Sequence, residues 1–308
     1  MIELEHVCRD FDAFRAVDDV SLTIRRGEFC VLIGPSGCGK STTLRMINRL
    51  IEHTSGRIRI DGEEIRSFPA EVLRRRMGYV IQSGGLFPHW TVERNIATVP
   101  ALLGWPRAKI RDRVTELMHL LRLDPERFRH AYPHRLSGGQ QQRVGVARAL
   151  AADPEVLLMD EPFGALDPIT RAALQAELAR IQRGTGKTVV FVTHDMDEAL
   201  KLASLVVVME QGRLVQAASP RELLAAPASG FVRAFVGSEE HGLKLLAVET
   251  VAARLRAGEA APGDPLPRTA TLRRALSEMI SRHTDRLAVA DDDGRVIGAV
   301  HLADLARR

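Results

Sequence analysis

Short apolar runs alternate with amphipathic stretches through the first 237 residues of the chain. The clearest strand-length runs are rich in Val, Ile and Leu, and they lie at residues 29–33, 57–60, 77–81, 156–159, 188–192 and 205–209. Runs of this kind are typical of parallel strands that are buried on both faces. Between them, residues 108–123 repeat apolar positions at helical spacing, which predicts a helix with one buried face. The pattern as a whole predicts an α/β domain with a mostly parallel sheet.

The pattern changes after Gly237. Several glycines and prolines within residues 256–268 indicate a linker or an irregular loop. Beyond it the sequence predicts a helix over Leu272–Arg282, a strand over Arg286–Ala290, an Asp-Asp-Asp-Gly turn and a second strand over Val296–His301. We therefore expect a main domain over residues 2–237 and a small α+β unit of a different kind over residues 269–308.

Composition excludes some classes of function. The 308 residues are 45% hydrophobic and 27% charged, as in ordinary globular proteins. The formal net charge of +4 is compatible with binding to a membrane surface or to nucleic acid, but it does not indicate either. With 5% aromatic residues and no basic stripe, nucleic-acid binding is not expected. The chain shows no secretory signal and no apolar run near the roughly 20 residues of a spanning helix, so we expect a cytoplasmic protein that reaches a membrane through a partner.

The strongest chemical motif is a glycine-rich turn between the strand at residues 29–33 and a helical stretch. It matches the P-loop pattern and consists of Gly34, Pro35, Ser36, Gly37, Cys38, Gly39, Lys40 and Ser41, with Thr42 following. Glycines let backbone N–H groups point at phosphate oxygens, and the start of the next helix adds positive field. We expect Lys40 to reach the β- and γ-phosphates of ATP and Ser41 to ligate Mg²⁺. A chance glycine-rich turn is the alternative, and the flanking strand and helix argue against it.

Two adjacent carboxylates follow the apolar strand at residues 156–159. Asp160 and Glu161 would stand at the carboxyl end of that strand, where α/β sheets bind ligands. We expect Asp160 to hold Mg²⁺, directly or through water, and Glu161 to orient or deprotonate the attacking water. Taken alone, such a pair is more often a strand that meets a polar loop. The P-loop earlier in the chain favours the catalytic interpretation.

A second glycine-rich motif opens another predicted helix. It consists of Leu136, Ser137, Gly138, Gly139 and Gln140, and QQRVGVARALA follows it. A serine hydroxyl and glycine N–H groups at a helix start can cradle a phosphate, or can simply cap the helix, and both can hold at once. With this motif, residues 2–237 resemble the ATP-binding subunits of ABC transporters. That resemblance implies a P-loop NTPase fold with a parallel-sheet core, an antiparallel β subdomain and a helical subdomain.

The resemblance also implies roles for single residues. In the family, this second cradle closes on the ATP of the opposite subunit, so a second copy of the chain would form an ATP-sandwich homodimer. Asp167 resembles the D-loop aspartate at the dimer interface, and His194 resembles the catalytic switch histidine at the γ-phosphate. Phe11 falls where the family places an aromatic ring on adenine. Gln82 resembles the Q-loop glutamine, which takes part in catalysis, senses Mg²⁺ and contacts the membrane subunit.

Longer runs of sequence suggest a subfamily. Segments such as EPFGALDPITR resemble ATPase subunits of importers for quaternary-amine osmoprotectants, such as glycine betaine, choline, carnitine or proline. This resemblance implies permease subunits as partners, an extracytoplasmic solute-binding protein as an indirect partner, and a peripheral position on the cytoplasmic face of the membrane. The alternatives are an importer of another small solute, such as an amino acid or a sulfonate, and a soluble ABC ATPase without a transport role.

The tail resembles one copy of the CBS motif, which is found in pairs behind several such ATPases. On this interpretation, residues 238–268 are a linker or the degenerate remnant of a first copy. The single clear copy at residues 269–308 could pair with its counterpart across a dimer and sense ionic strength or nucleotide. It could equally be a stabilising tail, and the sequence leaves both open.

Overall fold

The computed structural model describes residues 1–81, 85–164, 166–237 and 241–305. The chain divides into two compact units, Met1–Ala217 and Ala218–Arg308. No helix among the described residues is both long and apolar enough to cross a membrane.

The first unit alternates strands and helices. Its strands are β1 (Ile2–Phe11), β2 (Phe14–Ile24), β3 (Phe29–Ile33), β4 (Ser55–Ile60), β5 (Glu63–Glu64), β6 (Met77–Val80), β7 (Val156–Asp160), β8 (Thr188–Thr193), β9 (Leu205–Glu210) and β10 (Arg213–Ala218). Its helices are α1 (Lys40–Ile47), α2 (Ala70–Arg75), α3 (Val92–Ile96), α4 (Thr98–Leu102), α5 (Arg107–Leu120), α6 (Pro125–Phe128), α7 (Gly138–Leu150), α8 (Pro168–Thr185) and α9 (Met196–Leu202).

The main sheet has the strand order β10-β9-β3-β8-β7-β6. Each neighbouring pair from β9 to β6 is parallel. Every residue of β3, β7 and β8 is buried, as expected for strands covered on both faces. The predicted parallel sheet is confirmed. Because parallel strands end at the same edge, this order brings the loops after β3, β7 and β8 together.

The predicted strand at residues 57–60 belongs to a different sheet. It lies in β4, within an antiparallel sheet of order β2-β1-β4-β5. Ile58 and Ile60 are buried, whereas Arg57 is exposed and Arg59 is partly exposed. This period of two is the pattern of a strand with one solvent face, so the assignment of this run to the buried parallel sheet was wrong.

A helical region lies between β6 and β7. Helix α5 buries Val114 and Leu117 on one face, as its spacing predicts, and it ends at Leu120. Helix α7 packs closely on β6, because a Cβ at Gly78 would lie 2.4 Å from the carbonyl oxygen of Ala149. Only glycine permits that approach of helix and strand.

The second unit contains a small sheet of order β11-β14-β13-β12. Its elements are α10 (Pro220–Ala225), α11 (Gly230–Val236), α12 (His241–Val248), β11 (Arg256–Ala257), β12 (Leu266–Pro267), α13 (Leu272–Arg282), β13 (Arg286–Ala290), β14 (Val296–His301) and α14 (Leu302–Leu305). The predicted helix and two predicted strands of the tail have the bounds of α13, β13 and β14. Strand β11 pairs with β14, so the stretch before the predicted motif contributes to the same sheet. Its interpretation as a linker or a degenerate first copy stays a prediction.

Candidate nucleotide site

The loop between β3 and α1 has the backbone that a phosphate cradle needs. Gly34, Gly37 and Gly39 have φ angles of 155°, 77° and 99°, a region that favours glycine. A Cβ at Gly39 would lie 2.5 Å from the carbonyl oxygen of Ala16 in β2, so this glycine also permits a close backbone approach. Helix α1 begins without a side-chain cap among the described residues. Its first N–H groups can therefore bind an anion.

Lys40 is buried at the start of α1, and its side chain folds back over the loop. The Nζ atom donates to the carbonyl oxygens of Gly34 and Pro35, both at 2.8 Å. A buried ammonium group needs such partners, because burial of an unpaired charge is costly. The same three-donor group can turn towards phosphate oxygens when these are present.

Ser41 and Asp160 meet although they are 119 residues apart. The Ser41 hydroxyl donates to Oδ1 of Asp160 at 2.7 Å. Asp160 ends β7 and is only 2% exposed. Hydroxyl and carboxylate oxygens are suitable ligands for Mg²⁺, so the donor set fits the predicted metal.

Two residues beside Asp160 were missed by the sequence analysis. Arg45 on α1 donates to Oδ2 of Asp160 at 3.3 Å, and it also forms a hydrogen bond with Tyr79 of β6. Burial raises the pKa of Tyr79, and the carboxylate of Asp160 raises it further. Nothing in the local sequence around Arg45 indicates this contact, since it depends on the packing of α1 against β7 and on the place of β6 beside β7.

Glu161 and His194 face each other across the ends of β7 and β8. Their Oε2 and Nδ1 atoms are 3.4 Å apart, and the side chains are 22% and 63% exposed. The backbone N–H of Glu161 donates to the carbonyl oxygen of Val192, which extends the parallel pairing by one residue. Glu161 also has a φ of 43°, a left-handed conformation that costs a non-glycine residue about 1–2 kcal/mol. Such strain often accompanies a functional position.

Phe11 ends β1 and pairs with Phe14 at the start of β2. Its ring is 38% exposed, and the guanidinium of Arg9 lies 4.3 Å from the ring centroid. Since β2 contacts the P-loop at Gly39, Phe11 belongs to the hairpin next to the cradle. Its stacking on adenine stays a prediction.

The second glycine-rich motif forms a separate group with the start of α8. Ser137 caps α7 through a capping box: its hydroxyl accepts from the N–H of Gln140, and Oε1 of Gln140 accepts from the N–H of Ser137. A Cβ at Gly139 would lie 2.7 Å from Cγ2 of Thr170, whereas one at Gly138 would meet no described atom within 4 Å. Gly139 thus faces α8, and Gly138 faces open space.

Asp167 caps α8 by accepting from the N–H groups of Ile169 and Thr170, at 3.1 and 3.0 Å. Hydrogen bonds from the side chain and backbone of Thr170 lower the pKa of the Asp167 carboxyl. The described contacts therefore sort the predicted residues into two groups: the P-loop with Asp160, Glu161 and His194, and the second motif with Asp167. Gln82 lies outside the described residues, and so does Ala165.

A P-loop, two carboxylates at the end of a neighbouring strand and a second capped glycine motif together define an ATPase of the ABC type. Comparison with known families agrees, because residues 17–164 match the family described as ABC transporter and residues 265–308 match the CBS domain. The chain belongs to the family of ABC transporter ATP-binding proteins, and it therefore binds nucleotide.

Two relatives are similar over almost the whole chain. The glycine betaine uptake system ATP-binding protein YehX of Escherichia coli is 58% identical over 305 residues, which cover 99% of each chain. The osmoprotectant import ATP-binding protein OsmV of Salmonella typhimurium is 50% identical, over 97% of this chain and 79% of that one. Both confirm the predicted resemblance to the ATPase subunits of osmoprotectant importers.

Solved structures show the same fold. The dimeric, post-hydrolysis structure of the ATP-binding cassette MJ0796 bound to ADP and Pi matches with a TM-score of 0.65 and 34% identity. The match covers 71% of this chain and 98% of that one.

Proposed function

We propose that the chain is the ATP-hydrolysing subunit of an ABC importer for a quaternary-amine osmoprotectant, such as glycine betaine, choline, carnitine or proline. The observation that carries the ATPase role is the meeting of Ser41, Asp160, Glu161 and His194 at one edge of the main sheet. The solute class rests on the 58% identity to the Escherichia coli glycine betaine protein over the full length of both chains.

The P-loop would hold the phosphates of ATP. Its glycine-rich backbone and the start of α1, which no described side chain caps, would supply N–H donors and positive field. Lys40 would exchange its carbonyl partners, Gly34 and Pro35, for β- and γ-phosphate oxygens. Because those carbonyls hold the ammonium group next to the loop before ATP binds, the Lys40 side chain would need to move little when ATP binds.

The Ser41 hydroxyl and the Asp160 carboxylate would hold Mg²⁺, with Gln82 as a further predicted ligand. Bound there, the ion would neutralise charge that develops on the phosphate oxygens. Arg45 keeps the second carboxylate oxygen of Asp160 occupied, so that Oδ1 faces Ser41.

Glu161 would orient the attacking water and accept its proton, a role worth about 10²–10⁴-fold in rate. His194 would contact the γ-phosphate from the neighbouring loop. Its position 3.4 Å from Glu161 lets both side chains reach the same reacting group.

A second copy of the chain would complete the site. A Cβ at Gly138 would meet no described atom within 4 Å, so a phosphate held by another subunit could approach the start of α7 there. We further propose that the dimer docks on permease subunits at the cytoplasmic face of the membrane, with a solute-binding protein acting on the other side.

The test is replacement of the Escherichia coli relative by this chain, with glycine betaine uptake measured in osmotically stressed cells. We expect restored uptake, and no uptake with the Glu161→Gln variant produced at the same level. Choline, carnitine, proline, an amino acid and a sulfonate are measured in parallel. Uptake of only the last two would overturn the proposed solute class, and uptake that survives in Glu161→Gln would overturn the ATPase role.

A further inference from the structure

A closed ring of hydrogen bonds links Thr193 and Asp195, the two neighbours of His194, to Glu198. The N–H of Asp195 donates to Oγ1 of Thr193 at 3.0 Å, and that hydroxyl donates to Oε2 of Glu198 at 2.6 Å. The N–H of Glu198 in turn donates to the carboxylate of Asp195 at 3.2 Å. Thr193 is therefore bonded directly to the Glu198 side chain, and Asp195 is linked to that side chain through the Thr193 hydroxyl.

Glu198 is itself held from α8. Nε2 of Gln175 donates to Oε1 of Glu198 at 2.9 Å, and Nζ of Lys201 donates to Oε1 of Gln175 at 2.9 Å. Thr193, Gln175 and Glu198 are 3%, 6% and 6% exposed, so water does not compete for these bonds. A carboxylate only accepts hydrogen bonds, so Gln175 must donate through its amide nitrogen and accept from Lys201 through its amide oxygen.

The same helix also holds Asp195. Arg171 precedes Gln175 by four residues on α8, so the two side chains share a helix face. NH1 of Arg171 lies 3.7 Å from Oδ2 of Asp195, and NH2 donates to the carbonyl oxygen of Leu166, just before the Asp167 cap. The loop that carries His194 is therefore anchored to α8 on two sides.

We infer that Glu198 is a positioning residue for His194 and acts through Thr193 and Asp195. The inference rests on the proposed role of His194 in ATP hydrolysis. The imidazole is 63% exposed, so the packing of its own ring constrains it little, and the backbone at its base sets where it points. Burial of a carboxylate without partners is costly, and here Oε2 of Glu198 accepts from Thr193 in the loop while Oε1 accepts from Gln175 on α8.

The first experiment compares Glu198→Gln with Asp197→Asn in the full chain. Each converts a carboxylate to an amide, but Asp197 is exposed and makes no side-chain bond in the ring. The amide nitrogen of Glu198→Gln replaces one of the two accepting oxygens, so the variant loses or reverses the hydrogen bond donated by Gln175 or by Thr193. We expect kcat for ATP to fall about 10–100-fold with an unchanged KM. The assay is run well below the melting temperature, which the loss of a buried hydrogen bond should lower. Asp197→Asn should keep the parental kcat.

The second experiment combines Glu198→Gln with His194→Ala. If Glu198 acts through His194, the double variant hydrolyses ATP at the rate of His194→Ala alone. An equal further loss in the double variant would overturn the positioning role while leaving His194 as a catalytic residue. Parental turnover by His194→Ala would instead overturn the proposed function of His194 and the inference together.

Thr193→Val provides an independent route if Glu198→Gln fails to fold. Valine keeps the shape of threonine in β8 and removes the hydroxyl that links Asp195 to Glu198. The same loss of kcat, again absent in the His194→Ala background, is expected. Parental kcat in Thr193→Val would overturn the inference.

Discussion

Helices α1 and α7 both begin in glycine-rich motifs, and both starts were predicted as phosphate cradles. They are built differently. At α1, Gly39 adopts a left-handed conformation, and no described side chain caps the helix. At α7, Ser137 and Gln140 cap each other's backbone N–H groups.

This difference suits two kinds of proposed phosphate site. At the start of α1, the N–H groups that no described side chain caps can bind a phosphate. Lys40 is hydrogen-bonded to two carbonyl oxygens of the same loop. The start of α7 is already capped by side chains of its own motif. The Ser137 hydroxyl accepts from Gln140 but keeps its own proton for donation. On the proposed function, the α1 start would bind phosphate through its uncapped N–H groups, whereas the capped α7 start would receive a phosphate held by the second copy.

Substitution of Glu161 by Gln separates chemistry from binding at the α1 site. We expect turnover to fall about 10²–10⁴-fold, because the amide cannot accept a proton from water. ATP affinity should stay close to the parental value, since the cradle and Lys40 are unchanged. The measurements are steady-state hydrolysis and equilibrium ATP binding, and an ATP-trapped dimer should accumulate.

Glu126→Gln is the matched control for this variant. Glu126 is an exposed glutamate in the helical region, so the same change of charge should leave turnover unaltered. Parental turnover in Glu161→Gln would show that another group activates the water.

Lys40→Ala tests whether the α1 start needs more than its backbone. The variant removes one charged donor, and charge-assisted hydrogen bonds contribute about 1.5–3 kcal/mol. ATP affinity should therefore fall about 10–100-fold in an equilibrium binding measurement. Lys109→Ala removes an exposed ammonium from the ring of Trp105 and serves as the control. Equal ATP affinity in the two variants would contradict the P-loop assignment.

Gly138→Val tests the α7 start. Because a Cβ at Gly138 meets no described atom within 4 Å, the variant should fold and bind ATP as the parental chain does. The added side chain would fill the space in front of the helix start. We expect ATP-dependent dimerisation to weaken about tenfold or more, equivalent to about 1.4 kcal/mol, in a sedimentation experiment. Unchanged dimerisation would mean that α7 is only capped and receives no phosphate.

The sequence predicted what is encoded locally. The bounds of α13, β13 and β14 follow from periodicity and from a turn at residues 291–294, and each of these signals lies within its own element or in the adjacent turn. The positive φ angles of Gly34, Gly37 and Gly39 likewise follow from a local motif. The capped start of α7 was one of the two interpretations left open, and the capping box is present.

What the sequence did not predict depends on strand order. Arg45 reaches Asp160 across 115 residues, and Gln175 reaches Glu198 across 23, only because β3, β8 and β7 are neighbours with α8 and α9 packed beside them. The run at residues 57–60 was assigned to the wrong sheet for a related reason. A short apolar run does not reveal its pairing partners, and the alternation of Arg and Ile was the better guide.

Helix α8 begins in a third way. We expect substitution of its cap to have a smaller effect, on the stability of the fold, that depends on pH. Asp167 caps α8 with an ionisable group, whereas Ser137 caps α7 with a neutral hydroxyl. Ser137→Ala should cost about 1 kcal/mol of stability, or about 2–4 °C in melting temperature, at any pH. Asp167→Ala should also destabilise the chain at neutral pH.

The stability losses of Ser137→Ala and Asp167→Ala should differ at low pH. Hydrogen bonds from Thr170 lower the pKa of Asp167 below its ordinary value of 3.8, so folding favours the ionised carboxylate. That stabilisation is present above pH 3.8 and is lost as the pH falls through the lower pKa of the folded state. The loss of unfolding free energy caused by Asp167→Ala, measured by chemical denaturation, should therefore become smaller below pH 3.8. The loss caused by Ser137→Ala should stay the same. Equal pH dependence in the two variants would mean that the charge of Asp167 does not contribute to its cap.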